Sequence, residues 1–76
     1  MAVAEQKVRA VFAASVRRAR RSRGWSLDEL AGRSGVGRNT ILNVELQRSG
    51  TTLDVAFLLA GALGTTIGEL AGDGRG

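Results

Sequence analysis

Apolar residues recur at spacings of three and four along most of the chain, and glycines and hydroxyl residues separate the runs. From Glu5 to Arg23 there is no Gly or Pro, and Val8, Val11, Phe12, Val16 and Ala19 fall on one face of a helix. Glu5 near its start and arginines near its end suit the helix dipole, and Gly24 ends it. Trp25 precedes the next helix as a hydrophobic staple or a core aromatic. Ser26 and Glu29 have capping-box spacing, and Leu27, Leu30 and Ala31 line one face of a helix from Leu27 to Ser34. Gly35 can turn left-handed at a helix end at little cost. Val36 then packs between this helix and the next, Arg38 to Leu46, in which Ile41 and Val44 form a thin apolar stripe. After a polar loop, Thr51 or Thr52 caps a helix from Leu53 to Leu63 that ends at Gly64. Its expected inward face is Leu53, Ala56, Phe57, Ala60 and Leu63. Thr66 and Glu69 form a second capping box and open a short helix through Ala71. No run alternates with period two for long enough to make a strand. The pattern predicts an all-α, five-helix chain. Residues 1–76 make one domain, with a core over 5–71 and with 72–76 as a flexible tail or the start of a linker.

The stretch Ser26 to Glu45 carries the candidate chemistry. A helix, a glycine turn of about four residues and a second, polar helix make a helix-turn-helix unit. Around the stripe of the second helix stand Arg38, Asn39, Thr40, Leu42 and Asn43. Arg forks onto guanine, Asn pairs with adenine, and an apolar side chain can meet a thymine methyl. The alternative is a solvated helix face, which any surface helix shows.

Charge and composition narrow the classes. The 76 residues carry a net charge of +4. Ten of the eleven basic residues are Arg, and five lie between Arg17 and Arg23. Such a cluster fits a phosphate-bearing partner, or else a solvated helix end. There is no Cys and no His, so neither a thiolate, nor an imidazole base, nor the usual zinc ligands are present. With scattered carboxylates as well, no acid–base pair or metal set emerges; an enzyme is disfavoured, and no cofactor is expected. Gly32, Gly35 and Gly37 lack the Gly-Lys-Ser/Thr ending of a phosphate loop and follow no strand. The apolar run Val55 to Leu63 is too short for a membrane span, and no secretory signal is visible, so a cytoplasmic protein, on the bacterial nucleoid when bound to DNA, is expected. A chain this short buries only about 60% of its unfolded surface. Dimerisation or a second domain would help to stabilise it.

From Val16 to Ala71 the chain resembles the Cro/CI-type repressor family, the Xre family of helix-turn-helix regulators. The resemblance rests on Arg17 and Arg20, on Ser26-Leu27-Asp28-Glu29-Leu30-Ala31 and on Ser34-Gly35-Val36. Arg38, Thr40, Ile41 and Glu45, then Thr52-Leu53 and Ala60-Gly61-Ala62-Leu63-Gly64, continue it without a gap. It implies a five-helix, lambda-repressor-like DNA-binding domain acting as a transcriptional regulator on double-stranded DNA. By resemblance, Arg38, Asn39 and Asn43 face base edges, with Leu42 beside them. Thr40, Arg48 and Ser49 touch phosphate, joined by Arg17 and Arg21 at the end of the first helix. Arg20 and Glu45 match a buried salt bridge. The form SLDELAGRSGVG resembles members with a C-terminal cupin sensor domain. The chain departs from the family at Leu27, where Gln is common, at Gly37, where Ser often caps, and at Gln47 and Thr51, where Gly and Pro are common.

Val55, Leu58 and Ala62 form a second apolar stripe on the fourth helix. We read it as a homodimer interface; two-fold dimers of this kind bind half-sites roughly 34–36 Å apart. The alternative is a broad apolar helix packed on its neighbours. A rival function is a protein-interaction module on the same fold, with Leu42, Leu46, Val55 and Leu58 binding a partner protein.

Overall fold

The computed structural model describes residues 2–48 and 50–72, with side-chain surroundings from Lys7 onward. Ser49, residues 73–76 and the side chain of Glu5 lie outside that set. Five helices follow in order: α1 (Ala2–Ser22), α2 (Leu27–Ser34), α3 (Arg38–Glu45), α4 (Leu53–Ala62) and α5 (Ile67–Leu70). Among the described residues there is no strand. α1 begins three residues before the expected Glu5, because Ala-Val-Ala contains no helix breaker and Ala has the best helix propensity.

The caps account for the boundaries. Ser26, Thr52 and Thr66 each accept a hydrogen bond from the backbone N–H three residues on, at 3.0, 3.2 and 3.1 Å. Neither glutamate closes its box as expected. Glu29 turns forward to Arg33, with Nε to Oε2 at 2.7 Å, and Glu69 accepts from the Thr65 hydroxyl. Gly24, Gly35 and Gly64 all take positive φ just past a helix end. After α3 the same left-handed position falls on Gln47, at φ 58°. Its N–H donates to Val44 O at 3.1 Å and that of Arg48 to Asn43 O at 2.9 Å, the paired closure of a Schellman turn. An L side chain pays about 1–2 kcal/mol there relative to the right-handed form.

α1 packs on α3 and α5, α2 on α3 and α4, and α4 on α5. The core they enclose is Phe12, Val16, Leu30, Val36, Ile41, Val44, Ala56, Leu59, Ala60, Leu63 and Leu70. Trp25 packs against its edge, with the Arg33 guanidinium 4.3 Å above the ring centroid. Among the described residues no helix is long and apolar enough to cross a membrane.

Four expected inward positions are not fully inward. Val8 is exposed and Val11 only half-buried. α1 has 21 residues and α5 only four, so one turn of α5 cannot roof the N-terminal part of α1. Val8 and Val11 instead line an open groove with Glu69, Ala71 and Gly72. On α4, Leu53 is 74% and Phe57 68% exposed, whereas Leu59 is fully buried. α4 carries a single charge, Asp54, and is apolar nearly all round, so its own pattern selects no face. Contact with α2 and α5 selects Ala56, Leu59, Ala60 and Leu63.

Candidate nucleic-acid interface

The site is built on the α2–α3 turn. Gly35 takes φ 79°, and its N–H closes on Ala31 O at 2.9 Å. The Ser34 hydroxyl then accepts from Val36 N–H at 3.1 Å, holding the turn while Val36 enters the core. Ile41 and Val44 are buried three residues apart and fix the rotation of α3. Arg38, Asn39 and Thr40 are thereby exposed, with Leu42 and Asn43 half-exposed. Among the described residues, no side-chain hydrogen bond engages Asn39, Thr40 or Asn43. Their amide and hydroxyl groups are available to a ligand. Arg38 is engaged: its Nε lies 3.3 Å from Asp28 Oδ1 on the first turn of α2.

Behind this face, Arg20 ties α1 to α3. Its Nε and Nη2 donate to Glu45 Oε2 and Oε1 at 2.9 and 3.0 Å, and its Nη1 donates to Trp25 O at 2.9 Å. The side chains are 11% and 4% exposed. The hydrogen bonds it donates to Glu45 lift the Arg20 guanidinium above its ordinary pKa, against a smaller opposing effect of burial. One carboxylate thus consumes the charge of the innermost arginine and leaves its neighbours free to act outward.

Arg17, Arg21 and Arg48 are exposed. Arg17 and Arg21 line a groove with Glu45 and Gln47, so the end of α1 flanks the end of α3. Ser49, the remaining expected phosphate contact, lies outside the described residues. Of the expected dimer residues, Leu58 is 44% exposed, but Val55 and Ala62 pack partly against the core. That departs from an outward stripe of all three: the open face of α4 is Leu53, Phe57 and Leu58. Two charged residues join the site that the pattern did not single out. Arg9 lies along the loop after α3, its Nη2 3.5 Å from where a Cβ on Gly50 would stand. It is two helical turns before Arg17, a periodicity that could have found it. Asp28 is ten residues from Arg38, and no local spacing links them. Among the described residues no group of three or more His, Cys, Asp or Glu could hold a metal ion.

A bundle whose second and third helices form this turn, with the third presenting polar groups outward, is a helix-turn-helix protein. The helix-turn-helix family model matches residues 16–70. The chain is also 38% identical over 66 residues to a "Neisseria hypothetical transcription factor" of Neisseria meningitidis serogroup B, covering 87% of this chain and 62% of that protein. It therefore spans somewhat less than two thirds of that relative's length. The crystal structure of the hypothetical transcription factor NHTF from Neisseria is similar at a TM-score of 0.80 and 37% identity, over 88% of this chain and 75% of that one. This chain belongs to the Cro/CI-type, or Xre, family of helix-turn-helix proteins.

Proposed function

We propose that this chain is the DNA-binding part of a transcriptional regulator that reads a specific sequence through the major groove. The observation that carries the reading is the rotation of α3. Burial of Ile41 and Val44 turns Arg38, Asn39 and Asn43 outward together, on a helix whose first three residues are all exposed. Arg38, Asn39 and Asn43 contact base edges and Leu42 meets a thymine methyl. Thr40, Arg48 and Ser49, with Arg17 and Arg21, set the register on phosphates. The basic groove beside Gln47 supports that division of labour.

The two roles separate in a salt series. Asn43→Ala is expected to lose about 1–3 kcal/mol of discrimination at one base pair while leaving the salt slope intact. Arg48→Ala is expected to weaken all duplexes alike and to reduce the slope of log affinity against log salt by about one. Anisotropy titrations of a preferred and a scrambled duplex measure both. Equal losses on both duplexes for Asn43→Ala would remove it from the base-reading set.

We further propose that the regulator binds as a homodimer through the outer face of α4, with Leu58 in the contact and Phe57 and Leu53 beside it. Exposed side chains of this size on one short helix support an interface. The wild type is expected to sediment as a dimer at micromolar concentration and Leu58→Glu as a monomer. A dimeric Leu58→Glu would move the contact elsewhere. The same apolar face, with Leu42 and Leu46, supports the rival reading of a protein-interaction module, which requires no sequence preference on DNA.

A further inference from the structure

Arg38 and Asp28 are an ion pair with little work to do in folding. Both are on the surface, at 51% and 81% side-chain exposure, where such pairs add little to stability. The neighbouring acid, Glu29, is already engaged with Arg33 on its own helix. Asp28 instead reaches across the turn to the first residue of α3. Its Oδ1 lies 3.3 Å from Nε, an ion-pair contact without hydrogen-bond alignment, and among the described residues no hydrogen bond engages any nitrogen of Arg38. A guanidinium whose paired carboxylate lies at Nε has both terminal nitrogens free. That is a donor pair able to meet guanine O6 and N7 together.

We propose that Asp28 is a positioning residue that sets the sequence preference of Arg38, holding its fork end-on for one guanine; this rests on the base-reading role of α3 proposed above. The same carboxylate has a second effect. It sets a negative charge beside the surface that approaches phosphates, and Arg38 neutralises that charge only while the pair is kept. An Arg38 that swings out to a phosphate of arbitrary DNA leaves Asp28 unpaired and facing the backbone. Asp28 therefore favours guanine and disfavours non-specific contact, and its removal acts with opposite sign on the two.

The test uses the duplex that the wild type selects from random DNA, with each guanine replaced in turn by 7-deazaguanine, which keeps its pairing but lacks the N7 acceptor. The full chain is compared with Asp28→Ala, Asp28→Asn and Arg38→Ala by anisotropy. The wild type is expected to lose about fivefold or more in affinity at one guanine, and Arg38→Ala to be insensitive there. Both Asp28 variants are expected to lose most of that discrimination while binding a scrambled duplex at least as tightly as the wild type. Their thermal midpoints should stay close to that of the wild type, so lost folding cannot mimic the result. Unchanged discrimination in Asp28→Ala would overturn the proposal while leaving the base-reading role of Arg38 intact. Absence of any guanine that depends on Arg38 would overturn it too. A wild type that selects no sequence would instead defeat the function on which it rests.

Discussion

Glu45→Ala is expected to destabilise the domain by about 3–5 kcal/mol, because it leaves Arg20 charged, buried and unpaired. Arg20 keeps only its bond to Trp25 O in that variant, and the two hydrogen bonds from Nε and Nη2 are lost. At about 0.05–0.15 kcal/mol per residue, a chain of this length has about 4–11 kcal/mol in total, so the loss is a large share of the whole. It corresponds to a fall of at least about 12 °C in thermal midpoint, at about 4–8 °C per kcal/mol in a domain this small. Replacing both partners, as Arg20→Met with Glu45→Leu, is expected to cost less than the single change, since no buried charge remains. Thermal melts followed by circular dichroism measure the three chains. A midpoint for Glu45→Ala within a few degrees of the wild type would show that the pair contributes nothing. Raising the pH does not substitute for the mutation. A cation whose folded-state pKa is raised keeps its stabilising effect at every pH below its ordinary value and loses it only above the folded one. For Arg20 both lie beyond the range in which the domain is handled.

The second large effect is a contrast between two leucines on α4. Leu59→Ala is expected to cost about 2–5 kcal/mol, since it opens a cavity at a fully buried position. Leu53→Ala, at a position 74% exposed, is expected to shift stability by no more than about 0.5 kcal/mol. Urea titrations of both report the difference. Similar losses for the two would mean that α4 is rotated from the packing described.

These two cases mark how far the sequence alone could be read. Helix ends were legible because caps are local chemistry. Ser26, Thr52 and Thr66 bond the backbone three residues on, and Gly24, Gly35 and Gly64 take the positive φ that ends a helix. The rotation of α3 was legible because Ile41 and Val44 are an apolar pair three apart in a helix whose other residues are polar except Leu42. The rotation of α4 was not, because a helix apolar on every side carries no such contrast, and its spacing points to Leu53 and Phe57 as readily as to Leu59. The Arg20–Glu45 partnership joins residues 25 positions apart; it entered through the family resemblance and not through spacing. Asp28 beside Arg38 and Arg9 beside Gly50 exist only once three helices are assembled. Gln47 shows a different limit. The usual glycine is missing there, yet the backbone still takes the left-handed turn, because the two closing hydrogen bonds outweigh the strain.

α3 is the element proposed to read sequence. A selection from random DNA duplexes at physiological salt tests that role most directly. An enriched inverted repeat is expected, with half-site centres about one helical turn apart, which Asn43→Ala discriminates less well than the wild type at one base pair of each half-site. A pool that stays unenriched, with affinity governed by salt alone, would contradict it and leave a basic helical domain whose half-exposed Leu42 and exposed Leu46 and Leu58 await a protein partner.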